Sequence, residues 1–149
     1  MSTVAVKRLD HVSFTVGDLS RSVGFYQRFG LQPIKSYSAE GSDTDEGTAT
    51  TNAAMEIVWL RSESGNGPML ELIRYLNYPI DRSVLNSNVG AAHLCFAVED
   101  VWGAYERLDA DGIEFLSAPH RDEFGVQWVY FRDPDGNVVE MIEDPPGSA

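Results

Sequence analysis

Two stretches of the chain, LDHVSFTVGDLSRSVGFYQRFGL at residues 9–31 and AAHLCFAVEDVWGAYERLDADGI at residues 91–113, repeat one another. In register, the matched residues are His11 with His93, Phe14 with Phe96, Val16 with Val98, Asp18 with Asp100 and Gly30 with Gly112, each 82 positions apart (93 − 11). A later repeat aligns GPMLELI with GNVVEMI and matches Glu71 with Glu140, 69 positions apart (140 − 71). The chain is therefore a duplicated module with one His early and one Glu late in each copy.

Length and composition are typical of one soluble domain. The 149 residues can bury a substantial core, and the sequence contains no apolar run near the roughly 20 residues of a membrane span. The start of the chain lacks the apolar region of a secretory signal, and the single Cys95 cannot form an internal disulfide. We therefore expect a cytoplasmic protein.

The acidic charge restricts the partners. A net charge of −12 argues against nucleic acid, because binding phosphates needs a basic face, and it disfavours an anionic membrane surface. The expected partner is a small-molecule substrate, with no nucleic acid and no membrane.

The opening of each copy predicts a strand followed by a helix. Residues 8–16 alternate, so that Val12, Phe14 and Val16 form an apolar face for a helix to cover, and His11 lies on the opposite face. Asp18 is the predicted N-cap of the first helix and Gly30 its end. Asp100 and Gly112 repeat this arrangement around the second helix.

Three strands are predicted after each helix. They lie at 32–38, 55–61 and 68–76 in the first copy and at 114–117, 126–131 and 138–143 in the second. The predicted fold is α+β, with tandem βαβββ modules at 8–76 and 90–144 joined by a linker at 77–89. We expect the modules to form a curved mixed sheet that encloses a cleft, with the helices on its outer face.

Residues 39–53, AEGSDTDEGTATTNA, are polar, acidic and small. They predict a mobile surface loop, with a lid containing a short helix as the alternative. This segment is where the first copy is longer than the second, and we expect it to shape the pocket.

The pattern places His11, Glu71, His93 and Glu140 on the free faces of their sheets. Imidazole and carboxylate together suit a divalent metal ion, and Zn, Fe, Ni, Co and Mn all remain open. A lone strand His or Glu is more often structural or solvated. The recurrence of both types in both copies, with matching strand direction, favours one metal ion.

The stretches DHVSFTVGDLSRSVGFYQRFGL, MLELIRYL, AAHLCFAVEDV and VYFRDPDGNVVEMIE resemble the vicinal oxygen chelate superfamily. That superfamily includes glyoxalase I, methylmalonyl-CoA epimerase, extradiol dioxygenases and fosfomycin-resistance thiol transferases. The resemblance covers nearly the whole chain, so it implies a single domain of this type over residues 1–149. It also implies that His11, Glu71, His93 and Glu140 stand at the four metal-ligand positions.

The resemblance implies an isomerase, epimerase or lyase that acts through a metal-chelated enediolate or enolate of a small carbonyl substrate. In the isomerase branches a carboxylate at the metal transfers the proton, so Glu140 is the first catalytic candidate and Glu71 the second. The segments LELIRYL and NVGAAHLCFAVEDV resemble epimerase-like members, including those acting on cyclitol ketones. Methylmalonyl-CoA epimerases, however, usually have Gln at the position of Glu71.

Two other functions remain open. YFRDPDGNVVE matches part of the signature of the Fe²⁺ extradiol ring-cleaving dioxygenases, although His120 lies one position from the expected place. These dioxygenases do not need the ligand that Glu71 supplies. The third possibility is a drug-binding resistance protein of the bleomycin-sequestering kind, which needs no metal.

Further binding residues are expected just before Glu140. His120, Gln127 and Tyr130 are the substrate-binding candidates, and because Gln127 and Tyr130 lie on opposite faces of one strand, at most one of them should reach the cleft. Cys95 is expected to be a small packing residue, and the Trp59, Trp102 and Trp128 side chains are expected in the core or an interface. Small metalloproteins of this architecture often dimerise, so we expect a homodimer.

Overall fold

The computed structural model describes residues 4–80, 87 and 89–147, which form two compact units, Met1–Asp81 and Arg82–Ala149. Part of the predicted linker at 77–89, namely residues 81–86 and 88, lies outside the described residues. The α+β fold with two tandem modules is confirmed. None of the helices in the described part of the chain is long and apolar enough to cross a membrane.

The first unit is a four-stranded mixed sheet with two helices. Its elements are β1 (His11–Thr15), α1 (Leu19–Gln27), β2 (Leu31–Glu40), α2 (Ser42–Thr48), β3 (Ala54–Ser62) and β4 (Met69–Tyr75). The strand order is β1-β4-β3-β2, in which β1 and β4 are parallel and the other pairs are antiparallel.

The second unit repeats this topology. Its elements are β5 (His93–Ala97), α3 (Val101–Ala110), β6 (His120–Arg121), β7 (Gln127–Arg132) and β8 (Val138–Glu143). The order β5-β8-β7-β6 again joins the first and last strands in parallel. In each unit, the first and last strands along the chain are therefore neighbours in the sheet.

The helix-covered face of each sheet carries a hydrophobic core. In the first unit Leu60, Leu72 and Phe14 are buried on the face that α1 covers, and the Phe14 and Tyr26 rings lie 6.4 Å apart. In the second unit the buried face carries Val129, Phe131, Val139 and Met141, with Val101 of α3 also fully buried. The backbone N–H of Val101 donates to Glu143 Oε2 at 2.8 Å, which marks this face as the helix side.

The predicted caps of both helices are confirmed. Asp18 Oδ1 accepts from the Arg21 N–H at 3.0 Å, and Asp100 Oδ1 accepts from the Gly103 N–H at 2.8 Å. The first of these bonds lowers the pKa of the Asp18 carboxyl, because the N–H stabilises the charged form. Helix α1 ends at Gln27, before the predicted Gly30, whose φ of +74° then turns the chain into β2.

Residues 39–53, first expected to be a mobile loop, contain the end of a strand and a helix. Strand β2 continues to Glu40, and α2 follows at Ser42–Thr48, as in the alternative with a short helix. The Asp45 carboxylate accepts from the N–H groups of Asn52 and Ala53, both at 2.7 Å, and so closes the segment on itself. The Tyr78 hydroxyl donates to Thr51 O at 2.7 Å and ties the segment to the end of β4.

The strand predicted at 114–117 is only partly formed. Phe115 makes only an isolated bridge to Phe131, and the paired strand β6 comes later, at His120–Arg121. Between them lies Pro119, which is buried and has no N–H to donate to a ladder. The pairing is therefore split into two short pieces.

We expect Asp100→Ala to destabilise the second unit by about 1 kcal/mol, because the Gly103 N–H at the start of α3 loses its acceptor. The measurement is the midpoint of urea unfolding followed by circular dichroism. Glu106→Ala, an exposed change in the middle of the same helix, is the matched control and should leave the midpoint nearly unchanged. An equal shift in both variants would contradict the capping role.

Candidate metal and active site

The first His–Glu pair lies on the free face of the first sheet. His11 on β1 and Glu71 on β4 face each other, with His11 Nε2 3.9 Å from Glu71 Oε2. The Glu71 side chain is only 13% exposed, whereas that of His11 is 40% exposed. Trp59 is directly opposite Glu71 on β3, and its ring meets that of His11 edge-on at 4.8 Å.

The second pair is built in the same way. His93 Nε2 on β5 lies 3.1 Å from Glu140 Oε2 on β8, and the exposed fractions of the two side chains are 44% and 13%. Tyr130 is directly opposite Glu140 on β7, and its ring meets that of His93 edge-on at 5.3 Å. Each unit therefore presents an accessible imidazole against a nearly buried carboxylate, with an aromatic ring packed on the imidazole.

The role of Trp59 was not predicted from the sequence. The expectation was that Trp59 lies in the core or an interface, and at the offset that matches Glu71 with Glu140 it aligns with Trp128. In the structure the connection from the aromatic residue to the Glu is two residues longer in the first unit, so Trp59 is the counterpart of Tyr130. The pairing of Trp59 with Glu71 follows from the strand register, which the sequence repeat alone does not give.

Asp10 holds the ring of His11. Asp10 Oδ2 lies 3.2 Å from His11 Nδ1, and Arg8 pairs with the same carboxylate. The hydrogen bond to His11, followed by that from Arg8, lowers the pKa of the Asp10 carboxyl. A proton on Nδ1 leaves the lone pair of Nε2 directed to Glu71. The second copy has Ala92 at the matching position, so this support is particular to the first pair.

Glu140 has two protonated neighbours. Cys95 lies directly across from it on β5 and Tyr130 on β7. Desolvation by the surrounding protein is the main cause that raises the pKa of the Cys95 thiol to about 12, although part of the residue is exposed. The hydrogen bond to Glu140 and the negative charge of Glu140 also raise it. The same causes, burial first, raise the pKa of the Tyr130 hydroxyl. Both groups are therefore hydrogen-bond donors at neutral pH.

The two pairs suit a divalent metal ion. An ion bound at about 2.0–2.2 Å by an imidazole nitrogen and a carboxylate oxygen separates those atoms by roughly 3.0–3.4 Å. The second pair is already at 3.1 Å, and the first needs a small side-chain movement from 3.9 Å. Within the residues that the structure describes, no three His, Cys, Asp or Glu side chains are grouped so that they could hold a metal.

Trp59 also carries an unused donor. Its Nε1 is the only fully buried side-chain nitrogen or oxygen without a hydrogen-bond partner in the described part of the chain. A buried N–H without an acceptor is costly, and Trp59 shares the face of Glu71.

The three predicted binding residues divide between the faces of the second sheet. Tyr130 lies on the face of Glu140. His120 is directly opposite Trp128, two residues before Tyr130, and so also lies on that face. Gln127 pairs with Glu143 on the helix side, away from Glu140. Of the alternatives Tyr130 and Gln127, the geometry favours Tyr130.

Comparisons with known proteins find similar chains. The family model described as "Glyoxalase/Bleomycin resistance protein/Dioxygenase superfamily" matches residues 8–141. A 2-epi-5-epi-valiolone epimerase of Actinomyces sp is 33% identical over 93% of this chain and 80% of that protein. A probable lactoylglutathione lyase of Vibrio parahaemolyticus is 23% identical over 95% of this chain and 94% of that protein.

One solved structure is similar to this chain over nearly the whole length of both. It is a glyoxalase family protein from Bacillus cereus, with a TM-score of 0.84 and 25% sequence identity. The match covers 96% of this chain and 97% of that one. The resemblance inferred from the repeated motifs is confirmed.

The raised pKa of Cys95 predicts that its thiol is alkylated slowly. An ordinary thiol of pKa 9.0 is half ionised at pH 9, whereas a thiol of pKa about 12 is ionised to about one part in a thousand. We expect alkylation of the metal-free protein by iodoacetamide at pH 9 to be on the order of 100-fold slower than in the same protein unfolded in guanidinium, which serves as the control. The rate, followed by mass spectrometry, should keep rising with pH above 10. A plateau near pH 9 would contradict the assignment.

Proposed function

The chain belongs to the Glyoxalase/Bleomycin resistance protein/Dioxygenase superfamily, and on this premise we propose that it is a divalent-metal-dependent epimerase or related isomerase or lyase. Its substrate would be a small hydroxylated carbonyl compound. The observation that carries the proposal is the repeated pair, in which an exposed imidazole faces a nearly buried carboxylate in each unit.

The proposed metal ligands are His11, Glu71, His93 and Glu140, the residues of the two repeated pairs. Their nitrogen and oxygen donors suit Zn²⁺, Fe²⁺, Ni²⁺, Co²⁺ or Mn²⁺. The bound ion would act as a Lewis acid that stabilises the negative charge of an enolate. Asp10 would orient His11 by accepting its Nδ1–H.

Glu140 is the proposed proton-transfer base, with Glu71 as the second candidate. In the epimerisation, the carboxylate removes the proton from the carbon beside the carbonyl, and the same proton or one from solvent returns to the opposite face of that carbon. The reaction is balanced without an oxidant or reductant. The protonated Tyr130 and Cys95 beside Glu140 would hold its carboxylate in place and keep a donor next to the substrate oxygen.

The similarity to the 2-epi-5-epi-valiolone epimerase supports epimerisation over the other reactions. That protein is more similar to this chain than the probable lactoylglutathione lyase, over nearly the same share of the chain. We therefore propose a cyclic hydroxyketone as the substrate class. The homodimer and the cytoplasmic location remain part of the proposal.

The first test is metal binding. Protein purified without chelators should contain one divalent ion per chain by elemental analysis. Loss of a residue that hydrogen-bonds to a metal ligand typically weakens metal binding by roughly 10- to 100-fold. We expect His11→Ala and His93→Ala, which remove ligands themselves, each to weaken binding of Co²⁺ or Zn²⁺ to the metal-free protein by more than this. Asp10→Ala should fall within that 10- to 100-fold range.

His120→Ala is the matched control for this test, because it removes an imidazole that the proposal does not use as a ligand. It should leave both stoichiometry and affinity unchanged. Full metal content in His11→Ala and His93→Ala would refute the ligand assignment.

The second test is turnover. We expect Glu140→Gln to lower kcat for epimerisation of 2-epi-5-epi-valiolone at least 100-fold, because an amide cannot accept the proton from carbon. Exchange of the substrate C–H with D₂O, followed by NMR, measures the same step. Glu106→Gln, on the exposed side of α3, should retain wild-type exchange.

Retained exchange in Glu140→Gln together with its loss in Glu71→Gln would transfer the base role to Glu71. Oxygen uptake with catechols on the Fe²⁺ form, without any C–H exchange, would instead favour the ring-cleaving dioxygenase reaction.

A further inference from the structure

A second pair of rings lies on the face of Glu140, towards the opposite edge of the sheet. His120 on β6 and Trp128 on β7 are directly paired, and their rings meet edge-on at 4.8 Å with an interplanar angle of 69°. Trp128 is two residues from Tyr130, so both project to the same face at a spacing of about 7 Å. The pair thus adjoins the proposed site within a single unit.

Trp128 does not belong to the hydrophobic core of its unit. The helix side of β7 carries Val129 and Phe131, both fully buried, whereas Trp128 is half-buried and His120 is exposed. An indole held edge-on against an exposed imidazole offers an apolar surface beside a hydrogen-bonding nitrogen. Pockets for small molecules combine such surfaces with a few placed polar groups.

The duplication provides an internal comparison. Ile57 precedes Trp59 by two residues, as Trp128 precedes Tyr130, and its partner on β2 is Tyr37. Ile57 is 4% exposed and packs in a cluster with Ala53 and Met55. The first unit therefore has a buried aliphatic side chain at the position of the indole, and a tyrosine at the position of the imidazole.

The connection that precedes Ile57 also differs from the one that precedes Trp128. Strands β2 and β3 are joined by residues 41–53, which contain α2 and end beside the apolar cluster. Strands β6 and β7 are joined by the short turn 122–126, in which Asp122 accepts from the N–H groups of Phe124 and Val126 at 2.9 and 3.0 Å. The second unit thus keeps its rings beside a short, ordered turn.

We propose that Trp128 and His120 form a subsite for the ring of an uncharged, hydroxylated cyclic ketone. The inference rests on the proposed function and deepens it. The C–H face of the saturated ring lies on the indole, and a ring hydroxyl hydrogen-bonds to the imidazole, while the carbonyl end lies towards Glu140. An uncharged ring suits a protein of net charge −12 better than an anionic one.

The test measures binding to the Zn²⁺-loaded full chain by calorimetry, with 2-epi-5-epi-valiolone as the cyclic probe and dihydroxyacetone as the acyclic one. We expect Trp128→Leu to raise the Kd of the cyclic probe about three- to tenfold. The Kd of dihydroxyacetone should stay within about twofold of the wild-type value, because the acyclic probe lacks a ring to place on the indole.

Three further variants separate the contributions. Trp128→Phe keeps an aromatic face and should bind the cyclic probe nearly as well as the wild type, which also guards against a folding defect in Trp128→Leu. His120→Phe keeps a ring but loses the hydrogen bond and should weaken binding, whereas His120→Gln should retain most of it. Trp102→Leu, on α3, is the matched control and should have no effect.

Because binding is measured apart from turnover, the two proposals fail separately. A wild-type protein that binds the cyclic probe without epimerising it, and loses that binding in Trp128→Leu, supports the subsite and refutes the reaction. Unchanged binding in both Trp128→Leu and His120→Phe, or no binding of the cyclic probe by the wild type, overturns the subsite.

Discussion

The parallel ladder between the first and last strands of each unit is the constraint on which the rest of the structure depends. It places Ser13 beside Glu71 and Cys95 beside Glu140, so each His, two residues before its Ser or Cys, comes next to the carboxylate. A one-residue slip of either ladder would turn the Glu to the helix side, where burial of an unpaired charge is costly. The apolar face under the helix therefore fixes the register, and the register creates the His–Glu pair.

Duplication produced two pairs with the same geometry but different surroundings. Asp10 supports His11, whereas Ala92 leaves His93 without such a carboxylate. Glu140 lies between two protonated groups, Cys95 and Tyr130, whereas Glu71 lies between Ser13 and the indole of Trp59. Two chemically equal carboxylates are thereby given different hydrogen-bonding environments.

Much of the fold could be predicted because it depends on short-range patterns. Asp18 and Asp100 cap their helices, and the alternation around Phe14 identifies the buried face. Helix α2 was harder to predict, because it has no apolar stripe and is closed by bonds from Asp45 to residues seven and eight positions away. The role of Trp59 depends on the length of a hairpin connection, which an offset between repeats does not reveal. The metal ligands remain a prediction.

The proposed catalytic pair and the proposed ring subsite lie at opposite edges of the second sheet. His93 and Glu140 occupy the edge formed by β5 and β8, while His120 and Trp128 occupy the edge formed by β6 and β7. The parallel ladder that creates the His–Glu pair involves neither His120 nor Trp128. In the first unit the corresponding edge is occupied by Ile57 and its apolar cluster. A duplicated fold can therefore alter its substrate through one copy while both copies retain the same His–Glu geometry.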